Sequence, residues 1–285
     1  MCGRVPGRAG DRGRSSGGTV SERRETRAGT RTETDNTVVL KLGGSLITEK
    51  DRPETLDDDS LADACDAVAG ALSDGTVDRL VVVHGGGSFG HYHASEHGVS
   101  TTAGTGDVGA VMDIHGAMTT LNRFVLAHLH ERNVPAVPVH PLSLAARPDG
   151  VDSVLDLPTG STATLIDEGF VPVLHGDGVA TADAGVTVLS GDELVVKLAT
   201  ALDTRRVGVC STVPGVLDGD GDVIERIDSF ETVADALGES DATDVSGGMA
   251  GKVRELLALD APASVFGADG LAAFLRGGEP GTRIG

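Results

Sequence analysis

The chain has 285 residues, with 43 acidic residues against 23 lysines and arginines and a formal net charge of −20 at pH 7. This acidity argues against nucleic acid as a partner, because backbone phosphates are bound by clustered lysines and arginines. No apolar stretch approaches the ~20 residues that a membrane-spanning helix needs, so we also expect no membrane partner. With 39% apolar residues, the chain is long enough for one large α/β domain or two smaller ones.

The first 36 residues are rich in Arg, Gly, Ser and Thr and have no apolar periodicity, which predicts a disordered N-terminal extension. Eight arginines oppose five acidic residues there, so the extension carries +3 and the remainder of the chain −23. The acidic residues and the missing amphipathic stripe argue against a transit peptide, and a misassigned translation start is an alternative. We expect the organised sequence to begin at Thr37.

From Thr37 onward, apolar strands alternate with segments of helical periodicity. Strands are predicted at 37–42, 79–85, 134–139, 170–176, 205–212 and 263–268, and residues 281–285 are expected to close the sheet. Helices are predicted around 61–72, 88–97, 107–132, 192–203 and 248–261, with a hairpin or loop at 216–224. The alternation predicts a three-layer αβα sandwich with a mostly parallel central sheet and binding loops at the carboxyl ends of its strands.

The cysteines and the charged residues indicate the environment of the protein. Cys2, Cys65 and Cys210 are an odd number and lack metal-ligand spacing, which favours a reducing cytoplasm without a disulfide framework. Abundant Asp and Glu with scarce Lys resemble the composition of salt-in halophiles, whose hydrated acidic surfaces stay soluble when salt screens charge repulsion. We therefore expect activity to depend on high salt.

Lysine is rare enough for its positions to be informative. The chain has four lysines against 19 arginines, and three of the four, Lys41, Lys50 and Lys252, lie in or beside glycine motifs. Lys197 lies on a predicted helix and is interpreted as a partner for an acidic side chain. On a surface with so little lysine, the three lysines near glycine motifs are candidates for a functional role.

Four glycine-bearing turns follow strands or open helices. They are "KLGGSLITEK" (41–50), "HGGGSFGH" (84–91), "HGDGV" (175–179) and "SGGMAGK" (246–252). Such turns present backbone N–H groups to an anion, and glycine lets the backbone approach it closely. A single turn of this kind is often only a tight connection. Four turns with three nearby lysines favour a phosphate-binding site.

Two familiar phosphate-binding motifs fit poorly. Gly85, Gly87 and Gly90 match the dinucleotide pattern G-x-G-x-x-G, but no strand ending in an acidic residue follows about 20 positions later. The segment "SGGMAGKV" has Ser246 where a Walker loop needs glycine and Val253 where it needs Ser or Thr. A nicotinamide enzyme and a Walker-type ATPase are therefore disfavoured.

Five segments, "KLGGS", "HGGGS", "SGDELVVKLA", "STVPGVLDGDG" and "GGMAGK", together resemble the amino-acid kinase superfamily, which binds ATP without a Walker loop. The resemblance covers residues 37–285, and "GGGSFGH" ending in His91, with "HGDGV" and "SGGMAGK", looks most like the isopentenyl phosphate kinases. It implies transfer of the γ-phosphoryl group of ATP, with Mg²⁺, to isopentenyl phosphate, a small isoprenoid monophosphate of the archaeal mevalonate route. It also implies a cytoplasmic homodimer with an acceptor-binding lobe at 37–175 and a nucleotide-binding lobe at 176–285.

This chemistry explains the residue types. Phosphoryl transfer needs donor and acceptor held in line with their charges neutralised. A phosphate monoester has a second pKa of about 6, so near pH 7 the acceptor is already mostly the nucleophilic dianion and needs no general base. Neutralising two anions calls for lysines, backbone amides and a magnesium ion.

Roles follow from the resemblance. The expected catalytic residues are Lys41, Lys50, His91 and Asp192. For ATP, the resemblance implies Lys41, Gly43, Gly44, Ser45, Gly87, Asp192, Gly248 and Lys252, with residues 211–221 bordering adenine and ribose. For the acceptor phosphate it implies Gly86, Gly87, His91 and Gly176. An apolar tail pocket is expected to use Phe89, Tyr92, Phe124, Val111, Met112, Ile114 and Met118.

Other interpretations remain open at this level. A kinase of the same fold acting on a carboxylate, carbamate or phosphonate is one, and a non-catalytic nucleotide-binding protein is another. Pro214 before Gly215 departs from the acidic residue found in many relatives, which leaves the adenine contacts open. We predict no protein-borne metal site: His91, His93 and His97 suggest one, but we find no carboxylate or cysteine that completes it. His84 and His175 are interpreted as hydrogen-bonded histidines at strand ends.

Overall fold

The computed structural model describes residues 37–202, 204–234 and 248–285. The predicted disordered extension 1–36 lies outside the described residues, as do Ser246 and Gly247 of the last glycine motif. The strands are β1 (Thr37–Leu42), β2 (Leu80–His84), β3 (Ala136–Pro138), β4 (Ala146–Arg147), β5 (Val171–His175), β6 (Asp177–Thr181), β7 (Gly185–Leu189), β8 (Thr204–Ser211), β9 (Arg226–Ile227), β10 (Ala263–Gly267) and β11 (Thr282–Ile284). The α-helices are α1 (Gly44–Ile47), α2 (Asp58–Ser73), α3 (Gly87–Glu96), α4 (Val108–Glu131), α5 (Gly160–Asp167), α6 (Gly191–Ala201), α7 (Gly248–Leu257) and α8 (Leu271–Leu275).

Eight strands form the main sheet in the order β3-β5-β2-β1-β8-β10-β11-β9. All neighbours in it are parallel except β10 and β11, which run antiparallel. The carboxyl ends of the central strands share one edge, because Leu42 is in register with His84 and Cys210, and His84 with His175. Parallel strands thus bring the segments that follow β1, β2, β5 and β8 together.

Two apolar cores cover the two faces of the sheet. One joins Leu40 of β1 to buried residues of α2, α4 and α8, such as Leu61, Leu121 and Phe274. The other joins Val39 of the same strand to buried residues of α5, α6 and α7, such as Leu194. Successive strand residues therefore face opposite layers, as expected for a sheet buried on both sides. The predicted three-layer αβα sandwich with a mostly parallel sheet is confirmed.

Most predicted elements are found within two or three residues of their predicted bounds. Helix α7 is shorter than predicted, since it ends at Leu257 rather than near residue 261. Pro262 follows shortly afterwards, and a proline disfavours helical backbone in the residue before it. The segment 216–224 forms the predicted hairpin or loop, with one antiparallel bridge between Leu217 and Val223. Among the described residues, no helix is long and apolar enough to cross a membrane.

A second, three-stranded sheet was not predicted. It has the order β4-β6-β7, and β6 and β7 form an antiparallel hairpin that begins directly after β5. Its strands are short, and β4 has only two residues, so they give no long apolar pattern in the sequence. The hairpin matters for the site because β7 ends at Leu189, immediately before the start of α6.

Candidate active site

A cleft of about 920 Å³ opens at the carboxyl edge of the main sheet. Twelve residues were predicted to be catalytic or to bind ATP phosphates or the acceptor phosphate, and all of them line this cleft: Lys41, Gly43, Gly44, Ser45, Lys50, Gly86, Gly87, His91, Gly176, Asp192, Gly248 and Lys252. They come from five separate segments of the chain, so the fold rather than local sequence brings them together. Asp51 and Asp177 add two further carboxylates to the cleft wall.

The centre of the cleft is an ion-pair cluster of two lysines and one aspartate. Lys41 Nζ lies 2.7 Å from Asp192 Oδ1, and Lys252 Nζ lies 3.8 Å from Asp192 Oδ2. The side chains of Lys41 and Asp192 are only 9% and 13% exposed. One carboxylate therefore contacts two ammonium groups beside the glycine turns.

Burial and charge act on these groups in different directions. Burial alone would raise the pKa of Asp192, but the positive charges of Lys41 and Lys252 outweigh burial and lower it below its ordinary value. Burial lowers the pKa of Lys41, and the nearby Lys252 lowers it further, while Asp192 opposes both effects. Two ammonium groups thus face one carboxylate, and Glu255 lies within electrostatic range of all three groups, with a pKa that burial raises to about 7.

The position of Asp192 is fixed by the start of α6. Ser190 caps this helix, since its hydroxyl accepts a hydrogen bond from the Glu193 N–H at 3.1 Å. Glu193 in turn pairs with the buried Arg147 of β4 at 2.5 Å. Arg147 also donates to Thr187 of β7 at 2.8 Å. The unpredicted second sheet thus anchors the helix turn that carries Asp192.

Two of the glycine turns touch each other through their backbones. A Cβ atom on Gly44 would lie 2.1 Å from the Gly87 nitrogen, a contact that only glycine avoids. Gly87 has φ of +49°, in the left-handed region that favours glycine. Thr48 joins the turns, because its hydroxyl donates to Gly44 O at 2.9 Å and accepts from the Ser88 N–H at 3.0 Å. The segments after β1 and β2 are therefore held together as one continuous surface of the cleft.

The sheet order separates the predicted acceptor side from the predicted nucleotide side. Strand β1 lies between β2, which leads to His91, and β8, which leads to Ser211, Thr212 and Val213 in the cleft wall. Of the expected adenine border 211–221, only these first three residues line the cleft, and Pro214 does not. Lys50 is exposed and lines the cleft from the segment after α1.

The predicted apolar pocket is only partly present in the cleft wall. Tyr92, Ile114 and Met118 line it. Phe89, Phe124, Val111 and Met112 do not line it. Phe89 is a buried core residue at 2% exposed, and it packs edge-on against Phe124, which is 42% exposed, with ring centroids 6.4 Å apart. On α3, Phe89 faces the core while Tyr92, three residues later, faces the cleft.

Two buried histidines make hydrogen bonds to the glycine turns that follow β2 and β5. His84 and His175 end β2 and β5 in register, their rings stack at 5.4 Å, and both are fully buried. Each donates through Nδ1–H to the carbonyl oxygen of the following glycine, at 3.1 Å for Gly85 and 2.9 Å for Gly176. The interpretation of both as hydrogen-bonded strand-end histidines is confirmed.

Burial keeps these two imidazoles neutral. It lowers the pKa of His84 to about 4 and that of His175 well below its ordinary value. A neutral His84 that donates through Nδ1 can only accept at Nε2, which lies 3.3 Å from Asn122 Oδ1. Asn122 Nδ2 has no hydrogen-bond partner among the described residues. Rotating the Asn122 amide by half a turn exchanges its oxygen and nitrogen, which are nearly identical in shape. Asn122 Nδ2 would then donate to His84 Nε2.

The sequence interpretation missed an extension of this histidine network. His140 Nδ1 lies 2.9 Å from His175 Nε2, and His115 Nδ1 lies 3.0 Å from both carboxylate oxygens of Asp177. Asp177 is buried and lines the cleft. Asp177 could have been found from the motif "HGDG", because it directly follows Gly176, a predicted site residue. His115 and His140 lie on distant segments without a motif of their own.

One prediction about histidines is corrected. The sequence interpretation found no carboxylate to complete a metal site with the α3 histidines, yet Asp113 of α4 lies beside two of them. Ligand atoms of His93, His97 and Asp113 all fall within 4.8 Å of one another. His91, the third histidine considered, is not in this cluster and instead lines the cleft.

Comparisons with known proteins agree with this geometry. Residues 36–259 match the model of the amino acid kinase family. A curated isopentenyl phosphate kinase of Haloferax volcanii is 61% identical over 247 residues, which cover 87% of this chain and 98% of that protein. One from Methanothermobacter thermautotrophicus is 33% identical over 78% of this chain and 86% of that protein. A crystal structure of an isopentenyl phosphate kinase superposes with a TM-score of 0.73 at 26% identity, covering 88% of this chain and all of that one.

Proposed function

The chain belongs to the amino acid kinase family, and we propose that its cleft transfers the γ-phosphoryl group of ATP to isopentenyl phosphate. It is a phosphotransferase whose acceptor is a phosphate group. The observation that carries this function is the 61% identity to an isopentenyl phosphate kinase over 98% of that protein's length. Kinases acting on carboxylates or carbamate and a binding-only protein are not favoured by any specific feature of the cleft.

The reaction makes one bond and breaks one bond. An oxygen of the acceptor phosphate attacks the γ-phosphorus of ATP, the bond from that phosphorus to the β,γ-bridging oxygen breaks, and ADP leaves. The products are isopentenyl diphosphate and ADP. No proton has to be removed from the acceptor, since its second pKa of about 6 leaves it mostly a dianion at neutral pH. The work of the protein is therefore alignment and charge neutralisation.

We assign roles to the cleft residues on this basis. Lys41, with the N–H groups of the turn that follows it, holds the β- and γ-phosphates and stabilises the charge that builds up during transfer. Asp192 orients Lys41 and Lys252, a role supported by its contacts of 2.7 Å and 3.8 Å with the two ammonium groups. His91 donates a hydrogen bond to the acceptor phosphate, and Lys50 reaches the transferring group from the segment after α1.

Magnesium is proposed as the metal that accompanies ATP. Asp192 already faces two ammonium groups, so the carboxylates of the described cleft do not build a dedicated metal cage. This donor set suits Mg²⁺, which retains several waters and is held mainly through substrate phosphates with one or two carboxylates. Asp192 would help to hold it, and the ion would add positive charge next to the lysines.

Three wider properties are also proposed. The first is a homodimer, testable by light scattering of the purified chain. The second is a cytoplasmic location, supported by the buried free thiols of Cys65 and Cys210. The third is adaptation to high salt, supported by the net charge of −20.

The test is an ADP-release assay at high KCl with Mg-ATP, comparing isopentenyl phosphate with glutamate, aspartate, carbamate and fosfomycin. We expect isopentenyl phosphate alone to drive turnover. His91→Ala should lose most of that turnover, whereas His130→Ala should retain it because His130 is exposed on α4 and does not line the cleft. Turnover driven by another acceptor would overturn the proposed substrate, and no turnover with any acceptor would overturn the proposed activity.

A further inference from the structure

We propose that His93, His97 and Asp113 form a binding site for a divalent transition-metal cation, with Zn²⁺ as the ion that fits it best. The site lies outside the residues assigned to phosphoryl transfer, and it does not rest on the proposed function. One ligand atom from each of the three side chains lies within 4.8 Å of the other two. Two segments distant in sequence therefore supply a compact set of nitrogen and oxygen donors.

The two histidines are arranged as a helix-borne pair. The two histidines are four positions apart in the sequence. The His97 N–H donates to His93 O at 3.1 Å, so the helical turn of α3 extends to His97. Side chains four apart on a helix lie on the same face, about 5–6 Å apart at their Cβ atoms. Their imidazoles can therefore reach one ion without any change in the backbone.

The carboxylate comes from the neighbouring helix. Asp113 Oδ2 already lies 2.9 Å from His97 Nε2. The backbones of α3 and α4 are fixed against each other here, because Ala94 and Ile114 pack in one buried apolar cluster. Asp113 is next to Ile114 in sequence, and Ala94 is next to His93. The three ligands thus start from positions that core packing holds in place.

The donor set selects the class of metal. Zinc binds histidine nitrogens at about 2.0–2.1 Å and carboxylate oxygens at about 2.0–2.2 Å in a tetrahedron, so its ligand atoms lie roughly 3.3 Å apart. The ligand atoms of His93, His97 and Asp113 now lie within 4.8 Å of one another. Small rotations of these side chains, which are 21% to 55% exposed, would bring the atoms to the separation that zinc requires. Imidazole suits zinc, copper and nickel, whereas Mg²⁺ prefers oxygen ligands. Three protein ligands leave the fourth position of the tetrahedron for water.

Glu54 lies next to this site. Its Oε1 is 2.5 Å from His93 Nε2, and the Glu54 N–H donates to Ser88 O at 3.0 Å. Glu54 can therefore orient the His93 ring or replace the water at the metal. Because Glu54 lies four residues after Lys50, a bound ion would also connect α3 and α4 to the segment that carries this lysine.

The test is a zinc titration of the full chain after chelator treatment, in the absence of nucleotide. A chromogenic zinc chelator serves as competitor, and thermal unfolding is followed in parallel. We expect the wild type to bind a single zinc ion per chain and to melt at a higher temperature with zinc. His97→Gln and Asp113→Asn should each weaken zinc binding at least about tenfold and abolish the thermal shift.

His128→Gln is the matched control. His128 is also a histidine on a helix facing a carboxylate, with its Nε2 3.1 Å from Asp58 Oδ1. Among the described residues, His128 is not part of a three-residue group that could hold a metal. The His128→Gln variant should therefore retain wild-type zinc binding. The proposal is overturned if the wild type binds no zinc, or if its zinc binding is unchanged in both His97→Gln and Asp113→Asn. Equal weakening in His128→Gln would also overturn it, since that would indicate nonspecific binding to surface histidines.

Discussion

Lys41 Nζ and Asp192 Oδ1 are 2.7 Å apart, although 151 positions separate the two residues in the sequence. The contact joins the end of β1 to the start of α6, across the edge of the sheet where the cleft opens. A second lysine, Lys252, faces the other oxygen of the same carboxylate. Removing the aspartate would leave two ammonium groups close together in a poorly solvated site.

The first prediction concerns Asp192→Asn. It should lower kcat by about 10²-fold, because the lysines lose the carboxylate that we propose orients them towards the phosphates. It should also destabilise the fold by roughly 3 kcal/mol, since breaking a buried pair leaves charge uncompensated. Steady-state kinetics and urea unfolding measure the two effects. Asp167→Asn is the control: Asp167 pairs with Arg79 at the same 2.7 Å but is 60% exposed, so its loss should cost at most about 1 kcal/mol.

The second prediction concerns the contact between the glycine turns. Gly44→Ala should destabilise the protein by at least about 2 kcal/mol, because its Cβ would lie 2.1 Å from the Gly87 nitrogen and the two turns would have to separate. Such a displacement should also reduce turnover about 10²-fold. Gly116→Ala on α4 is the control, since nothing lies within 4 Å of its Cβ. Alanine there should be neutral or stabilising by up to about 1 kcal/mol, and equal effects at the two sites would contradict the argument.

The sequence allowed the main sheet, the glycine turns and the lysines to be predicted, because each has a local pattern. The strand at 37–42 is buried at every position and has the predicted bounds, although Thr37 and Lys41 are polar. The second sheet was missed because β4 has only two residues and leaves no pattern in the sequence. The contact between Arg147 and Glu193 was missed because 46 positions separate the two residues in the chain. The same reason explains why Asp113 was not seen beside His97: the two residues belong to different helices, and only tertiary packing brings them together.

The third prediction concerns pH and the buried His84. Its pKa falls from an ordinary 6.5 to about 4 on folding, so between these values the unfolded chain binds a proton that the folded chain does not. Stability should therefore decrease as pH falls below about 6.5, by roughly 2 kcal/mol between pH 7 and pH 5 from this residue alone. The raised pKa of buried Asp177 acts in the opposite direction, so variants rather than absolute values must be compared.

Urea unfolding of His84→Gln at pH 7 and pH 5 isolates that contribution. The variant should be less stable than the wild type at pH 7, but its loss of stability on acidification should be smaller. His130→Gln, at an exposed histidine of α4, should keep the acid sensitivity of the wild type. An acid sensitivity of His84→Gln equal to that of the wild type would show that the His84 ring does not stay neutral in the folded protein.

The fourth prediction separates binding from stability at Lys50. Lys50→Met should reduce kcat/KM at least about 10²-fold, because it removes the positive charge that we propose to act on the transferring phosphoryl group. The melting temperature should not change, since Lys50 is exposed. Arg52→Met is the matched control: Arg52 lies two residues away and pairs with Glu49 at 2.9 Å, but it does not line the cleft. Similar losses in both variants would indicate a general electrostatic effect rather than a contact made by Lys50.

The last prediction concerns salt. Residues 37–285 carry most of the acidic groups, and with a charge of −23 they repel one another when few counterions are present. The screening length falls from more than 10 Å at about 50 mM KCl to about 3 Å at 1 M, so both activity and melting temperature should rise across this range. NaCl at equal ionic strength should act similarly because screening depends on charge, whereas sucrose at equal osmolarity should not restore activity. Full activity and an unchanged melting temperature at low KCl would show that repulsion does not limit the folded state.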